Sequence, residues 1–220
     1  GMTLVYTDSP LGVIGLIDIT DPKAPKALGN IAVGGEPTTA KVIGGQIFIA
    51  VNTSESKVAP SGKLVTIDMA TKAITADCEL GGQPDSVAAA KDGSFLAIAI
   101  ENERDEDVND GQLPQMPAGF VVKLPVTAGV ADCAAMVKID VTGLAAVGGD
   151  DPEPEFIDVN AAGEIVVTMQ ENNHIAVIGA DNTITSHFSA GAVTLDGVRS
   201  GCKASASCGA CTGVAPASCR

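Results

Sequence analysis

The chain has 220 residues, 45% of them apolar, and a formal charge of −14 from 27 acidic and 13 basic residues. That balance argues against nucleic acid and anionic membrane surfaces as partners, because phosphate binding needs clustered Lys and Arg. With no Trp and Tyr6 alone, little is left for stacking on bases. The apolar runs are short, none near the roughly 18 residues of a membrane helix, so no membrane insertion is expected.

Gly1 ahead of Met2 reads as the remnant of a removed purification tag, with no signal peptide after it. From there the chain superimposes on itself. One pass runs through Ile17-Asp18, a turn at Asp21-Pro22, an apolar strand over 28–33 and the loop Gly34-Gly35-Glu36-Pro37-Thr38. A second strand, a hairpin turn at Gly44-Gly45 and a strand over 47–52 complete it. The next pass repeats these features at Ile67-Asp68, Thr71-Lys72, 74–80, Gly81-Gly82-Gln83-Pro84-Asp85, Asp92-Gly93 and 96–102. Asp18 to Asp68 is 50 residues, Pro37 to Pro84 is 47 and Gly45 to Gly93 is 48. Pro84 to Pro154, Gly93 to Gly163 and Asn102 to Asn172 are all 70, one period plus an insertion.

A period in the forties that holds four short strands marks propeller blades. The segments are β-branched-rich, bounded by Gly, Pro, Asp and Asn, and apolar on both faces, as strands packed between two neighbouring sheets must be. The expected fold is all-β: a partial β-propeller of about four four-stranded antiparallel blades over residues 3–195. The blade segments lie near 3–35, 36–82, 83–150 and 151–191, the first lacking its innermost strand. A β-sandwich, the alternative, requires no fixed period. Residues 196–220 do not match the repeat. Their Cys202, Cys208, Cys211 and Cys219 have no known zinc-motif rhythm and no nearby His; two disulfides are one alternative, and the stretch reads first as an artefactual end, such as that of a truncated or frame-shifted gene.

In a propeller the loops entering the innermost strands and those leaving the second strands emerge together. That places Glu36, Thr38, Asp85, Glu153 and Glu155 at the channel mouth, with Asn52, Glu101, Asn102, Glu171 and Asn172 beside them as ligand-binding candidates. Converging hard oxygen ligands suit Ca²⁺. A second Ca²⁺ candidate is Asp105, Asp107 and Asn109, whose alternating oxygens resemble a calcium loop, although the glycine falls one position late for an EF-hand. Cys78 and Cys133, near outer strands of successive blades, are candidates for a disulfide. His174 is expected in a rim loop as a surface residue, and His187 in a strand as a structural one. No Gly-x-Ser-x-Gly, P-loop or Rossmann fingerprint is present, and no catalytic residue is assigned.

The pattern Gly-Gly-x-Pro, apolar strand, Asp-Gly, apolar strand, Asn and an Ile-Asp strand resembles bacterial YVTN and LVIVD-type surface propellers. Residues 81–106 and 151–174 look like the N-terminal propeller of secreted choice-of-anchor proteins, often labelled alkaline phosphatase or phytase-like esterase. The resemblance covers about residues 11–195. It implies a secreted, periplasmic or cell-surface protein, typically with about seven blades. The functional expectation is a non-catalytic scaffold or binding module with an acidic, Ca²⁺-holding face. The alternative is part of a secreted Ca²⁺-dependent phosphatase or esterase, against which Arg104 and Lys57 stand as the only rim cations. Two open blade faces are an aggregation hazard, so two copies are expected to associate through them; a closed four-bladed monomer is the other solution.

Overall fold

The computed structural model describes residues 2–192, and the Cys-rich tail lies outside them. Among the described residues there are sixteen strands and no α-helix. They form four antiparallel sheets in chain order.

Blade 1 has three strands, β1 (Thr3–Asp8), β2 (Val13–Asp18) and β3 (Lys26–Ala32). Blade 2 is β4 (Glu36–Ile43), β5 (Gln46–Asn52), β6 (Gly62–Asp68) and β7 (Ile74–Glu79). Blade 3 runs from β8 (Pro84–Ala89) through β9 (Phe95–Ile100) to β10 (Phe120–Thr127). The short strands β11 (Val130–Ala131) and β12 (Val137–Ile139) both pair with β10. Blade 4 is β13 (Pro154–Val159), β14 (Ile165–Met169), β15 (His174–Ile178) and β16 (Ile184–Ser189). By register, β1 and β2 correspond to β5 and β6, since Leu4 opposes Ile17 as Ile47 opposes Ile67. Among the described residues blade 1 therefore has no counterpart of β4.

The hairpin chemistry explains the tight connections. Ile43 pairs with Gln46, which leaves Gly44-Gly45 as a two-residue turn, and Gly44 takes the positive φ (59°) that such a turn requires. The blades stack because one strand serves two interfaces. In β5, Ile47 and Ile49 pack with Ile14 and Leu16 of blade 1, whereas Phe48 and Ala50 pack with Leu96 and Ile98 of blade 3. Side chains alternate across a strand, so both interfaces come from consecutive residues. Between blades 3 and 4 the same role falls to Ala97 and Val121 against Ile165, Val167 and Ile178. Each fully buried Ile or Leu in these layers contributes about 2 kcal/mol.

A disulfide joins Cys78 on β7 to Cys133, with Cα atoms 5.6 Å apart, and ties the outer edge of blade 2 to blade 3. Cys133 sits in a short 3₁₀ turn (Cys133–Ala135), not in a strand. At the axis β1, β4, β8 and β13 neighbour one another in sequence order. Among the described residues no comparable strand contact leads from blade 4 back to blade 1. The assembly is an open arc of a β-propeller.

Candidate functional site

The axial rim is built by a repeated irregularity. Each complete blade's innermost strand shows a register shift just after the same proline: Pro37 to Thr39, Pro84 to Val87 and Pro154 to Ile157. Proline has no N–H for the ladder, so a bulge breaks least there, and bulges re-aim side chains. The next residues are Thr38, Asp85 and Glu155. Hydroxyls tie these strands across blades: Thr38 Oγ1 donates to the Pro84 carbonyl at 3.2 Å and Thr39 Oγ1 to that of Asp85 at 3.0 Å. Ser86 Oγ donates to the carbonyl of Glu155 at 2.6 Å.

Carboxylates crowd the resulting surface. Burial first, then the charges of Asp85, Glu103, Glu155 and Glu153, pushes Glu101 up to about 8. Burial and Glu103 raise Asp85, and burial with Asp85, Glu171 and Glu103 raises Glu155. Glu155 Oε2 is buried with no hydrogen-bond partner. At neutral pH this group shares fewer negative charges than it has carboxyls, because low dielectric and like charge both favour the protonated form. Glu36 stands apart, exposed, with Asn52 Nδ2 at 3.5 Å from its Oε2.

Arg104 organises the blade 4 side. Its Nη1 lies 3.2 Å from Glu153 Oε1 and its Nη2 lies 3.1 Å from Glu171 Oε2. Burial opposes the guanidinium charge, but the two carboxylates outweigh it and raise the Arg104 pKa. Glu153, 2% exposed, is nonetheless pushed up to about 7 by burial, with Arg104 pulling it down. Lys57 pairs with Glu103 at 2.9 Å. Sequence reasoning missed the Arg104 bridge because its partners lie 49 and 67 residues away and nothing local marks them.

Two rim candidates are corrected in role. Asn102 and Asn172 are buried and already bonded. Asn102 Oδ1 accepts from Gln83 N–H at 2.9 Å while its Nδ2 donates to Ala118 O. Asn172 Oδ1 accepts from Glu153 N–H at 2.9 Å while its Nδ2 donates to the carbonyls of Val147, Gly148 and Asp151. They pin the loop before the proline instead of facing a ligand. The glycine pair serves the same contact: a Cβ on Gly82 would stand 2.6 Å from Asn102 Oδ1.

The loop holding Asp105, Asp107 and Asn109 is organised from within. Gln115 Oε1 accepts from Asp105 N–H, and its Nε2 donates to the carbonyls of Asp105, Val108 and Gln112. The side-chain amide thus holds three backbone carbonyls of the loop, while the Asp105 carboxylate accepts from the Asp107 N–H. Among the described residues no three His, Cys, Asp or Glu are already gathered as a metal set.

His174 also departs from expectation. It is not a surface residue in a rim loop but opens β15, 7% exposed, with Nε2 2.9 Å from Nδ1 of His187 on β16. Burial, then His187, lowers its pKa.

A family model, the choice-of-anchor I domain, matches residues 2–200. The chain belongs to the choice-of-anchor I domain family. No curated protein matches it. Among solved structures it is similar to dihydro-heme d1 dehydrogenase NirN in complex with DHE, a β-propeller: 12% identity, TM-score 0.56, covering 86% of this chain and 35% of that one. It is also similar to Kuenenia stuttgartiensis hydrazine synthase, with 13% identity, TM-score 0.44, and 82% and 62% coverage. This choice-of-anchor I chain thus spans about a third of NirN and less than two thirds of the second protein. At such identity the likeness to NirN shows the fold alone. Family membership fits an exported, surface-associated protein, and among the described residues no helix is long and apolar enough to cross a membrane.

Proposed function

We propose that this propeller is a non-catalytic scaffold or binding module of an exported or cell-surface protein, and that its axial rim takes a hard cation, Ca²⁺ first. The observation that carries the reading is the crowding of rim carboxylates, where Glu155 Oε2 is buried without a hydrogen-bond partner and burial with the charges of Asp85, Glu103, Glu155 and Glu153 pushes Glu101 up to about 8. A cation placed among these groups relieves their repulsion. The donors are all carboxylate oxygens, which suits Ca²⁺. Since no set of three is gathered beforehand among the described residues, the side chains draw in on binding.

The competing reading, a Ca²⁺-dependent phosphatase or esterase, needs cations to hold a substrate phosphate. Arg104 and Lys57 are each committed to carboxylates. Melting the protein with and without excess Ca²⁺ tests the binding: a bound ion raises the transition, and an unmoved transition removes the proposal. Metal-dependent turnover of a chromogenic phosphate ester, abolished by Asp85→Asn or Glu155→Gln, would favour the enzyme instead.

A further inference from the structure

Blade 4 holds a donor set that the carboxylate rim does not use. Met169, the last residue of β14, stands directly opposite His174, the first residue of β15. Directly opposed residues share a face, with Cβ atoms about 4.5–5.5 Å apart. On that face Met169 continues the row of Ile165 and Val167, and His174 the row of Ala176 and Ile178, both rows turned toward blade 3. His187, on β16, lies opposite Ala176 and so joins the same face. Its Nδ1 is 2.9 Å from Nε2 of His174, and the two ring centres are 5.2 Å apart. Two imidazoles on one tetrahedral metal ion, with metal–nitrogen bonds of about 2.0 Å, have their centres at this spacing. The facing nitrogens need only turn toward a common point.

The chemistry of the set is unusual for a metal centre. It contains two histidines and a thioether, all neutral, on three adjacent strands. Burial, then His187, lowers the His174 pKa, and no carboxylate counters them. Donors without negative charge leave a buried dication uncompensated, and a soft monocation suffers less from that. Thioether sulfur selects copper(I), and imidazole suits copper as well. Met169 is fully buried, His174 is 7% exposed, and His187 is exposed, so the set opens to solvent on the β16 side.

We propose that Met169, His174 and His187 bind one copper(I) ion, through the thioether sulfur, Nε2 of His174 and Nδ1 of His187. A fourth position stays open beside His187. In the hydrogen-bonded pair one of the two facing nitrogens carries a proton. On binding, that proton is exchanged through solvent to the other nitrogen of its own ring, so both facing lone pairs meet the ion. No net proton is released and no electron is transferred. The site needs none of the rim carboxylates and is independent of the Ca²⁺ reading.

Anaerobic titration with copper(I) held by bicinchoninate tests this, with ascorbate as reductant and the Cys78–Cys133 disulfide intact. The full chain is used with Cys202, Cys208, Cys211 and Cys219 replaced by Ser, because thiolates also select copper(I). This protein takes one equivalent from the chelator, and X-ray absorption of the complex shows a sulfur and two imidazoles around the metal. His187→Ala, at an exposed position, weakens the affinity at least tenfold without moving the melting of the metal-free protein. Met169→Leu keeps the core volume, weakens copper(I) at least tenfold and removes the sulfur from the absorption spectrum. A protein that takes no copper from the chelator overturns the proposal. So does tight binding that survives in His187→Ala, a Met169→Leu variant that binds as tightly as its parent, or a site that prefers Zn²⁺ to copper(I) in direct competition.

Discussion

The hydroxyl of Ser86, in the innermost strand of blade 3, donates to the backbone carbonyl of Glu155, in the innermost strand of blade 4, at 2.6 Å across 69 residues of chain. Thr39 makes the equivalent bond to Asp85 at 3.0 Å. These bonds link blades at the axis and hold the backbone that carries the rim carboxylates. Replacing Ser86 by Ala or Thr39 by Val is expected to cost about 1 kcal/mol each. The losses should couple in the double variant instead of simply adding, since the Asp85 carbonyl and Ser86 share one peptide unit of β8. Urea midpoints with unchanged slopes check this.

The Cys78–Cys133 bond closes a loop of 55 residues between blades 2 and 3. On the chain-entropy model, opening such a loop costs about 4 kcal/mol. Replacing both cysteines by Ser should lower the urea midpoint by the corresponding amount, and reductant should then have no further effect on the variant.

Stability should depend on pH in two limbs. The folded pKa of Glu101 is about 8 and that of Glu153 about 7, against 4.5 for an ordinary Glu. Between those values the folded state binds more protons than the unfolded chain, so stability falls as pH rises. Asp18, Asp68, Asp92 and Asp181 act oppositely. Hydrogen bonds from Thr20, Thr71, Ser94 and Thr183 hold them below the usual 3.8, so their contribution is present above that value and is lost on acidification through their folded values. The maximum should fall at about pH 4–5. Glu101→Gln should flatten the alkaline limb and stabilise the protein by about 3 kcal/mol at the alkaline end of that limb. Melting curves across pH for both proteins measure it.

Arg104→Met should be more harmful than any single carboxylate change on the rim. It leaves Glu153 buried without its counter-charge, at a cost of about 3 kcal/mol on the alkaline side of its pKa of about 7 that shrinks at lower pH as the carboxylate takes up a proton. Arg104→Lys should rescue little, because one ammonium does not reproduce the forked reach to Glu153 and Glu171. Chemical denaturation of the two variants at neutral pH compares them.

The repeat made the architecture legible before any coordinates. Pro37, Pro84 and Pro154 mark three equivalent strands, and Gly44 and Gly93 their hairpins, because backbone constraints of this kind leave a local signature. Asp85 and Glu155 could be placed at one rim for the same reason. What stayed hidden depends on contacts between distant stretches. Asn102 and Asn172 recur with the period, yet their recurrence reflects a loop that needs pinning, which spacing alone cannot separate from a ligand contact. Gln115, inside the Pro-rich insertion, gives no hint that it fills the loop at Asp105. His174 was misplaced because the strand β15 begins one residue earlier than its apolar run.

The most direct test of the cation-binding rim is calorimetric titration of Ca²⁺ into wild type and Glu101→Gln near pH 7, in two buffers of different ionisation enthalpy. The wild type should bind saturably, with a heat that differs between buffers because a proton leaves the Glu101 cluster, and the variant should lose most of that difference. No saturable heat, or a buffer dependence that survives in Glu101→Gln, would contradict the account.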